Sequence, residues 1–234
     1  MTRHLITVVT AAAALAAAAG CSTGKHHGSS RPAPKYTVSY QPADFTADVT
    51  NPWFPLRPGT TQVYRGEDGG RTEVDNVTAT TETVTIGGVP CRVVRDQVYV
   101  RGVLTEDTRD YYTQDSHGTV WYFGEDTAEL DKHGKVTSRE GTWRTGRNGA
   151  LPGVFMPAAP TAGERHRQEY YRGHAEDFFQ VLTASGAEVV TREWSPLEPD
   201  VEEHKTYRRG TGLVDDRTVR GGDEHLALAE VRPG

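Results

Sequence analysis

Five aromatic rings crowd into two short stretches of the chain, Tyr111-Tyr112 and Trp121-Tyr122-Phe123. Successive side chains of a strand point to opposite faces, so Trp121 and Phe123 share one face while Tyr122 joins Val120 on the other. One of these faces must enter a core. The other could form a platform that stacks sugars or apolar groups, with Trp121, Phe123, Tyr111, Tyr112 and the more distant Trp53 as its candidate ligand-binding residues. Packed only against each other, the same rings would stabilise a sheet by about 0.2–1 kcal/mol per cross-strand pair.

A second grouping combines imidazole and carboxylate: His174, Glu176 and Asp177, then Glu202, Glu203 and His204. In extended backbone His174 and Glu176 share a face, as do Glu202 and His204. His174, Glu176 and His204 are therefore candidate nitrogen and oxygen ligands for zinc or another divalent ion. Their spacing matches no established ligand signature, and Arg167, Arg172, Arg192 and Arg208 offer the same acids partners without a metal. Glu106-Asp107, Asp110, Asp115 and Glu125-Asp126 could include the acid and base of a glycoside hydrolase, although acidic hairpin ends are commonly just solvated. Asp68-Gly69-Gly70 and Asp115 to Gly118 could hold calcium loosely but lack the EF-hand spacing.

Nothing completes a nucleophilic centre. The chain has no Gly-x-Ser-x-Gly elbow, no HExxH pair and no phosphate-cradling glycine loop before a helix. Cys91 lies between Pro90 and Arg92-Val93-Val94 with no neighbouring base, which reads as a buried, inert thiol. No cofactor is clearly implied. The net charge of −6 and the lack of a concentrated basic patch argue against nucleic acid as a partner.

The elements that would position these residues are strands. From Thr60 onward apolar and polar residues alternate between turn signals about 8–14 residues apart, the pattern of an antiparallel meander, sandwich or barrel. Gly66 to Gly70, Gly87-Gly88, Arg101-Gly102, Asp115 to Gly118 and Lys132 to Gly134 mark turns. Gly146 to Gly163, with Pro152, Pro157 and Pro160, reads as a loop around a buried apolar knot. Glu176 to Leu182 is open to strand or short helix. Asn51 to Gly59 contains three prolines, which exclude regular helix and central strand, yet Trp53, Phe54 and Leu56 want burial. Such a segment would lie across a sheet or plug a barrel end. The expectation is all-β: one antiparallel domain over residues 44–234, barrel-like or half-barrel, behind a Pro-rich segment.

The first residues are of another kind. Arg3 precedes a charge-free run from Leu5 to Ala19, and Gly20, Cys21 and a polar stretch follow. This is the layout of a secretory signal over residues 1–20. At 1.5 Å per residue the run spans roughly 22 Å, short of the ~30 Å hydrocarbon core. Residues 21–43, rich in Gly, Ser, Pro, Lys and His, read as a disordered tether. Ala18-Ala19-Gly20-Cys21 resembles the lipobox of bacterial lipoproteins, which implies a diacylated thiol at Cys21 and cleavage before it. Ala18 stands where that pattern prefers leucine.

Nearly the whole domain, residues 51–231, resembles an uncharacterised family of secreted bacterial proteins and lipoproteins. The likeness rests on the start Asn51 to Gly59, on Glu106 to Asp115, and on Gly118 to Asp126 with its Val120-Trp121-Tyr122-Phe123-Gly124-Glu125-Asp126 motif. Met156-Pro157-Ala158, Arg167 to Tyr171 and Glu203 to Val214 belong to it too. That family has no established activity, so the resemblance implies a domain and no mechanism. Tyr207 to Val214 with Gly221-Gly222 is also similar to the last hairpin of lipoprotein-carrier-like half barrels. The expected protein is a lipid-anchored lipoprotein on the extracytoplasmic face of the cell membrane. Its β domain would bind a small apolar ligand or an envelope partner without catalysis. The alternatives are a metal-dependent or carboxylate-based cell-surface hydrolase and a purely structural or assembly role.

Overall fold

The computed structural model describes residues 36–234; the signal, Cys21 and most of the expected tether lie outside the described residues. A 3-10 turn at Pro42–Asp44 leads into the short strand β1 (Phe45–Thr46). Long strands follow: β2 (Thr61–Asp68), β3 (Arg71–Ile86), β4 (Val89–Val100), β5 (Val103–Asp115) and β6 (Val120–Asp126). Three small strands, β7 (Glu129–Leu130), β8 (Val136–Ser138) and β9 (Trp143–Arg144), form an excursion before β10 (Leu151–Met156). The wall continues through β11 (Arg165–Arg167), β12 (Glu169–Tyr170), β13 (Phe178–Ala184), β14 (Glu188–Trp194), β15 (Glu202–Arg208), β16 (Gly212–Arg220) and β17 (His225–Arg232).

Every pairing is antiparallel, and the long strands mostly pair in chain order. The first hairpins are tight because their turns, Gly69-Gly70, Gly87-Gly88 and Arg101-Gly102, have positive φ at both central residues. That backbone matches the right-handed twist of the flanking strands. Strand β17 then pairs with β2 from His225↔Glu67 to Arg232↔Thr61, so the last strand closes on the first long one. The result is a nearly closed barrel.

Its seam lies between β10 and β12, where only Leu151↔Tyr170 and Pro152↔Glu169 pair. At Gly153 the neighbouring strand comes so close that a Cβ would sit 2.2 Å from the Gln168 carbonyl oxygen. Here the loop expected over Gly146 to Gly163 is corrected: Leu151–Met156 is a wall strand, its register with β6 beginning at Gly153, just after Pro152. The ambiguous stretch at Glu176 resolves as strand from Phe178.

The Pro-rich segment closes one end of the barrel. Asn51 pins it: its backbone N–H donates to Gln114 Oε1 at 2.7 Å, and its amide nitrogen donates to the Gly118 and Pro157 carbonyls. Trp53 and Leu56 are thereby buried in a core with Tyr64, Val94, Tyr112, Tyr122, Phe155 and Phe179. A second cluster lies outside the wall. Ile86, Val89, Cys91, Val93, Tyr111 and Phe123 are covered by Tyr40, Phe45 and Trp121. Residues 36–43 of the expected tether thus lie along the barrel, with Tyr36 donating to the Pro152 carbonyl at the seam.

Candidate functional site

The structure separates the aromatic residues by face. Tyr112 and Tyr122 point inward, stacked with centroids 4.8 Å apart. Trp143 stands edge-on to Tyr122 at 5.4 Å, and Phe155 meets Tyr112 at 4.9 Å. Tyr111, Trp121 and Phe123 point outward, but they form no open platform. Phe45 lies 6.0 Å from Trp121 and 5.7 Å from Phe123, and Tyr40 covers Phe123 as well. Tyr111 and Phe123 are buried, and the Trp121 indole N–H donates to Asp115 Oδ2. Trp53 belongs to the inner core, so the five candidate ligand-binding residues do not share one surface.

His174, Glu176 and His204 are not brought together either. His174 stacks on Tyr171 at 4.3 Å, and Glu176 accepts from the Arg167 guanidinium and the Gly173 N–H. His204 lies 3.6 Å from Glu202, on the outer face of β15. Among the described residues no group of three His, Cys, Asp or Glu is disposed to hold a metal ion, which corrects this ligand set. Asp115 is also fully engaged, accepting the His117 and Thr119 N–H groups besides Trp121.

The chemistry sits inside the barrel. Among the described residues eleven acidic side chains are buried, against Arg92 and Lys205 as buried cations. They face inward because they occur in phase with core residues: Glu73-x-Asp75-x-Val77-x-Ala79, Val94-x-Asp96-x-Val98 and Glu106-x-Thr108-x-Asp110-x-Tyr112. Cross-strand register then aligns them, with Val94 opposite Asp110 and Asp110 opposite Glu125. On the opposite wall Glu193 faces Glu203, and Lys205 faces Asp216. The expectation that Glu106, Asp110 and Glu125 belong to solvated hairpin ends is therefore corrected. Asp107 and Asp126 do point outward, paired with Arg95 and Arg144.

Some of these carboxyls are well held. Lys205 places its ammonium 3.2 Å from Glu193, 3.5 Å from Glu203 and 3.6 Å from Asp216. Trp143 donates to Glu169 at 2.7 Å, Tyr122 to Asp110 Oδ1 at 2.7 Å and Thr108 to Glu106 at 2.7 Å. Single oxygens are nonetheless left over: Asp110 Oδ2, Glu125 Oε1 and Glu169 Oε1, like the Tyr112 hydroxyl, are buried without a hydrogen-bond partner.

Burial raises the affinity of these acids for protons, since the charged form loses its water. Glu73 and Asp177 are pushed up to about 7, and Glu106 to about 9, burial being the first cause in each. Asp75, Asp110, Glu125, Glu169 and Asp216 are also raised well above the carboxylate range, burial again leading. Asp96 is raised as well, burial again leading, although its neighbours Asp75 and Lys205 work the other way. Asp177 adds to the rise of Glu169, and Glu169 works the other way on Asp177, but burial leads for both. Burial would strip the charge from Lys205, but Asp216, Glu193 and Glu203 outweigh it and hold the ammonium charged.

Outside the plug lies a groove of about 540 Å³ walled by Val49, Pro52, Pro55, Leu56 and Pro58, with Arg57 and Asp48 at its rim. A smaller neighbouring pocket of about 120 Å³ runs from Leu56 to Gln62, Val77 and Val231. Glu73, Asp75, Asp96, Glu169, Glu193, Lys205 and Asp216 are absent from the groupings singled out by residue type. Their period-two spacing in phase with valine and tyrosine is the signal that marks them. No family model, no curated protein and no solved structure matches the chain.

Proposed function

We propose that the protein is an exported, lipid-anchored binding protein of the extracytoplasmic face, without catalysis, whose barrel takes up a small organic ammonium ion. The observation that carries this reading is the cluster of buried acceptors without donors, Asp110 Oδ2 and Glu125 Oε1, beside the unpartnered Tyr112 hydroxyl. Such acceptors cost about 1–3 kcal/mol each when left unpaired, and N–H donors relieve that cost. A metal ion suits the arrangement less well, because the acids do not stand in ligating groups. The barrel already holds one ammonium in this manner, at Lys205. The rings of Tyr112, Tyr122, Trp143 and Phe155 border the same place and suit a cation with an apolar body. Phe54 of the plug covers Tyr112 at 5.1 Å, so uptake requires the plug to shift. Anchoring rests on the lipobox-like Cys21, and no helix among the described residues is long and apolar enough to cross a membrane.

The test is native mass spectrometry of the protein from its own host, followed by calorimetric titration with 2-phenylethylamine. A co-purifying amine, or binding that releases protons and weakens on the order of a hundredfold in Asp110→Asn/Glu125→Gln, supports the reading, since two charge-assisted bonds are lost. A bare polypeptide that gives no heat with the amine sinks it. A neutral lipid-like mass instead supports the second reading, an apolar ligand in the proline-walled groove, favoured by that groove's lining and its size.

A further inference from the structure

The wall that is acidic inside is basic and aromatic outside. Register places Arg165 opposite Gln180, Gln180 opposite Arg192, Arg192 opposite His204 and His204 opposite Arg217, a row that crosses five strands on the outer face. The next row carries Arg167, Phe178 and Trp194. Arginine and aromatic side chains interleave between the rows. Arg165 sits 4.6 Å from the centres of both Phe178 and Trp194, Arg192 sits 4.8 Å from Trp194, and Arg167 sits 4.1 Å from Phe178. Arg165 and Arg217 are exposed, and Trp194 is half-buried. Glu176 and Glu202 neutralise Arg167 and Arg192. Asp215, linked to Arg217 through His225, offsets part of what remains, yet Arg165, Arg217 and Arg220 keep the strip cationic on a chain whose net charge is −6.

The first described residue points to what covers this strip. That residue, Tyr36, is part of it: its ring lies 5.3 Å from Tyr170 and under the Arg167 guanidinium at 5.4 Å. Cys21 is 15 residues earlier, a chain length that reaches at most about 50 Å. A bilayer holding Cys21 therefore lies within about 50 Å of the strip, close enough for the strip to reach it. Amphipathic rings suit the membrane–water interface, and arginines are drawn to anionic headgroups.

We propose that the outer face of β11, β13, β14, β15 and β16 is a membrane-facing surface that docks on anionic phospholipid headgroups. The proposal rests on the anchor reading of Cys21 for the proximity of the bilayer, and on the strip alone for the chemistry of contact.

The experiment uses the full protein purified from its host membranes and reconstituted in vesicles brominated near the headgroup end of the acyl chains. Bromine quenches only a tryptophan that reaches the interface. Trp194 emission should be quenched in phosphatidylglycerol vesicles, recover in phosphatidylcholine vesicles or at high salt, and be missing from Trp194→Phe. Removing one arginine should weaken the contact roughly fivefold, so Arg165→Gln/Arg217→Gln should abolish the quenching. Unquenched Trp194 in phosphatidylglycerol vesicles, or quenching that ignores salt and both arginines, overturns the proposal. Intact mass reads the anchor separately: a chain without acyl groups removes the anchor reading. In that case Trp194 quenching by added anionic vesicles still decides the strip.

Discussion

Lys205→Met is the sharpest test of the acid-lined interior. Methionine keeps most of the length and volume, so little cavity is created and the change is chiefly the loss of one buried charge. Lys205 meets Glu193, Glu203 and Asp216 at 3.2–3.6 Å, each contact a gross attraction of about 5 kcal/mol at an effective dielectric near 20. Most of that gain offsets the desolvation of the ions. Removing one partner of a buried ionic group typically costs 3–5 kcal/mol, because the remaining charges stay buried and unpaired. For a domain of this size that lowers Tm by roughly 6–20 °C. The loss should be fully expressed near pH 8 and smaller near pH 5, where buried carboxyls without a counter-ion escape by taking up protons. Thermal unfolding followed by far-ultraviolet circular dichroism at both pH values, with Lys205→Arg as the charge-retaining control, measures it. A loss below about 1 kcal/mol near pH 8, or one of equal size at both pH values, would refute the reasoning, because buried ionic groups do not behave that way.

The wild-type protein should itself be more stable in acid than in mild alkali. Glu73, Asp177 and Glu106 hold their protons to about 7, 7 and 9 in the folded state, whereas the unfolded chain releases them near the ordinary carboxylate value. Their stabilisation is complete below that value and is lost as pH rises through 7 to 9, so urea midpoints should fall across that window; a rise would contradict it. Glu106→Gln, neutral at every pH, should flatten the upper part of the decline. Gly153→Ala should open the seam, since its Cβ would meet the Gln168 backbone; proteolysis between β10 and β12 should accelerate, and an unchanged rate would show that the strands can part. Cys91, whose thiol burial pushes up to about 12, should resist iodoacetamide at pH 8 until the protein is unfolded.

Much of the barrel is legible from residue order, because two-residue turns and alternation are local signals. Gly87-Gly88 and Arg101-Gly102 specify their hairpins through φ alone, and the proline run before Gly59 cannot be wall and must cover something. Closure is not legible in this way. It depends on the pairing of His225–Arg232 with Thr61–Asp68, some 160 residues apart, and on a Pro-containing strand at Leu151–Met156 that resembles a loop in sequence. The fate of Trp121 and Phe123 is equally non-local, since alternation gives their face but not the Tyr40–Phe45 segment that covers it.

The acids mislead for a different reason. Residue type argues that Glu106, Asp110 and Glu125 face water, and for an isolated ionised carboxylate that argument is sound. It fails because these groups are not isolated: Glu106 accepts from Thr108, Asp110 from Tyr122 and Glu125 from Thr127, and burial keeps their proton affinity high. Phase is the better guide. An acid two residues from a core tyrosine, as Asp110 is from Tyr112, must either go inside or break the strand. Once inside, each such acid narrows what the interior can accept. A purely apolar guest would leave Asp110 Oδ2 and Glu125 Oε1 unpaired, while a guest bearing N–H donors satisfies them, and that asymmetry favours an ammonium ion over the apolar ligand expected from the aromatic residues alone.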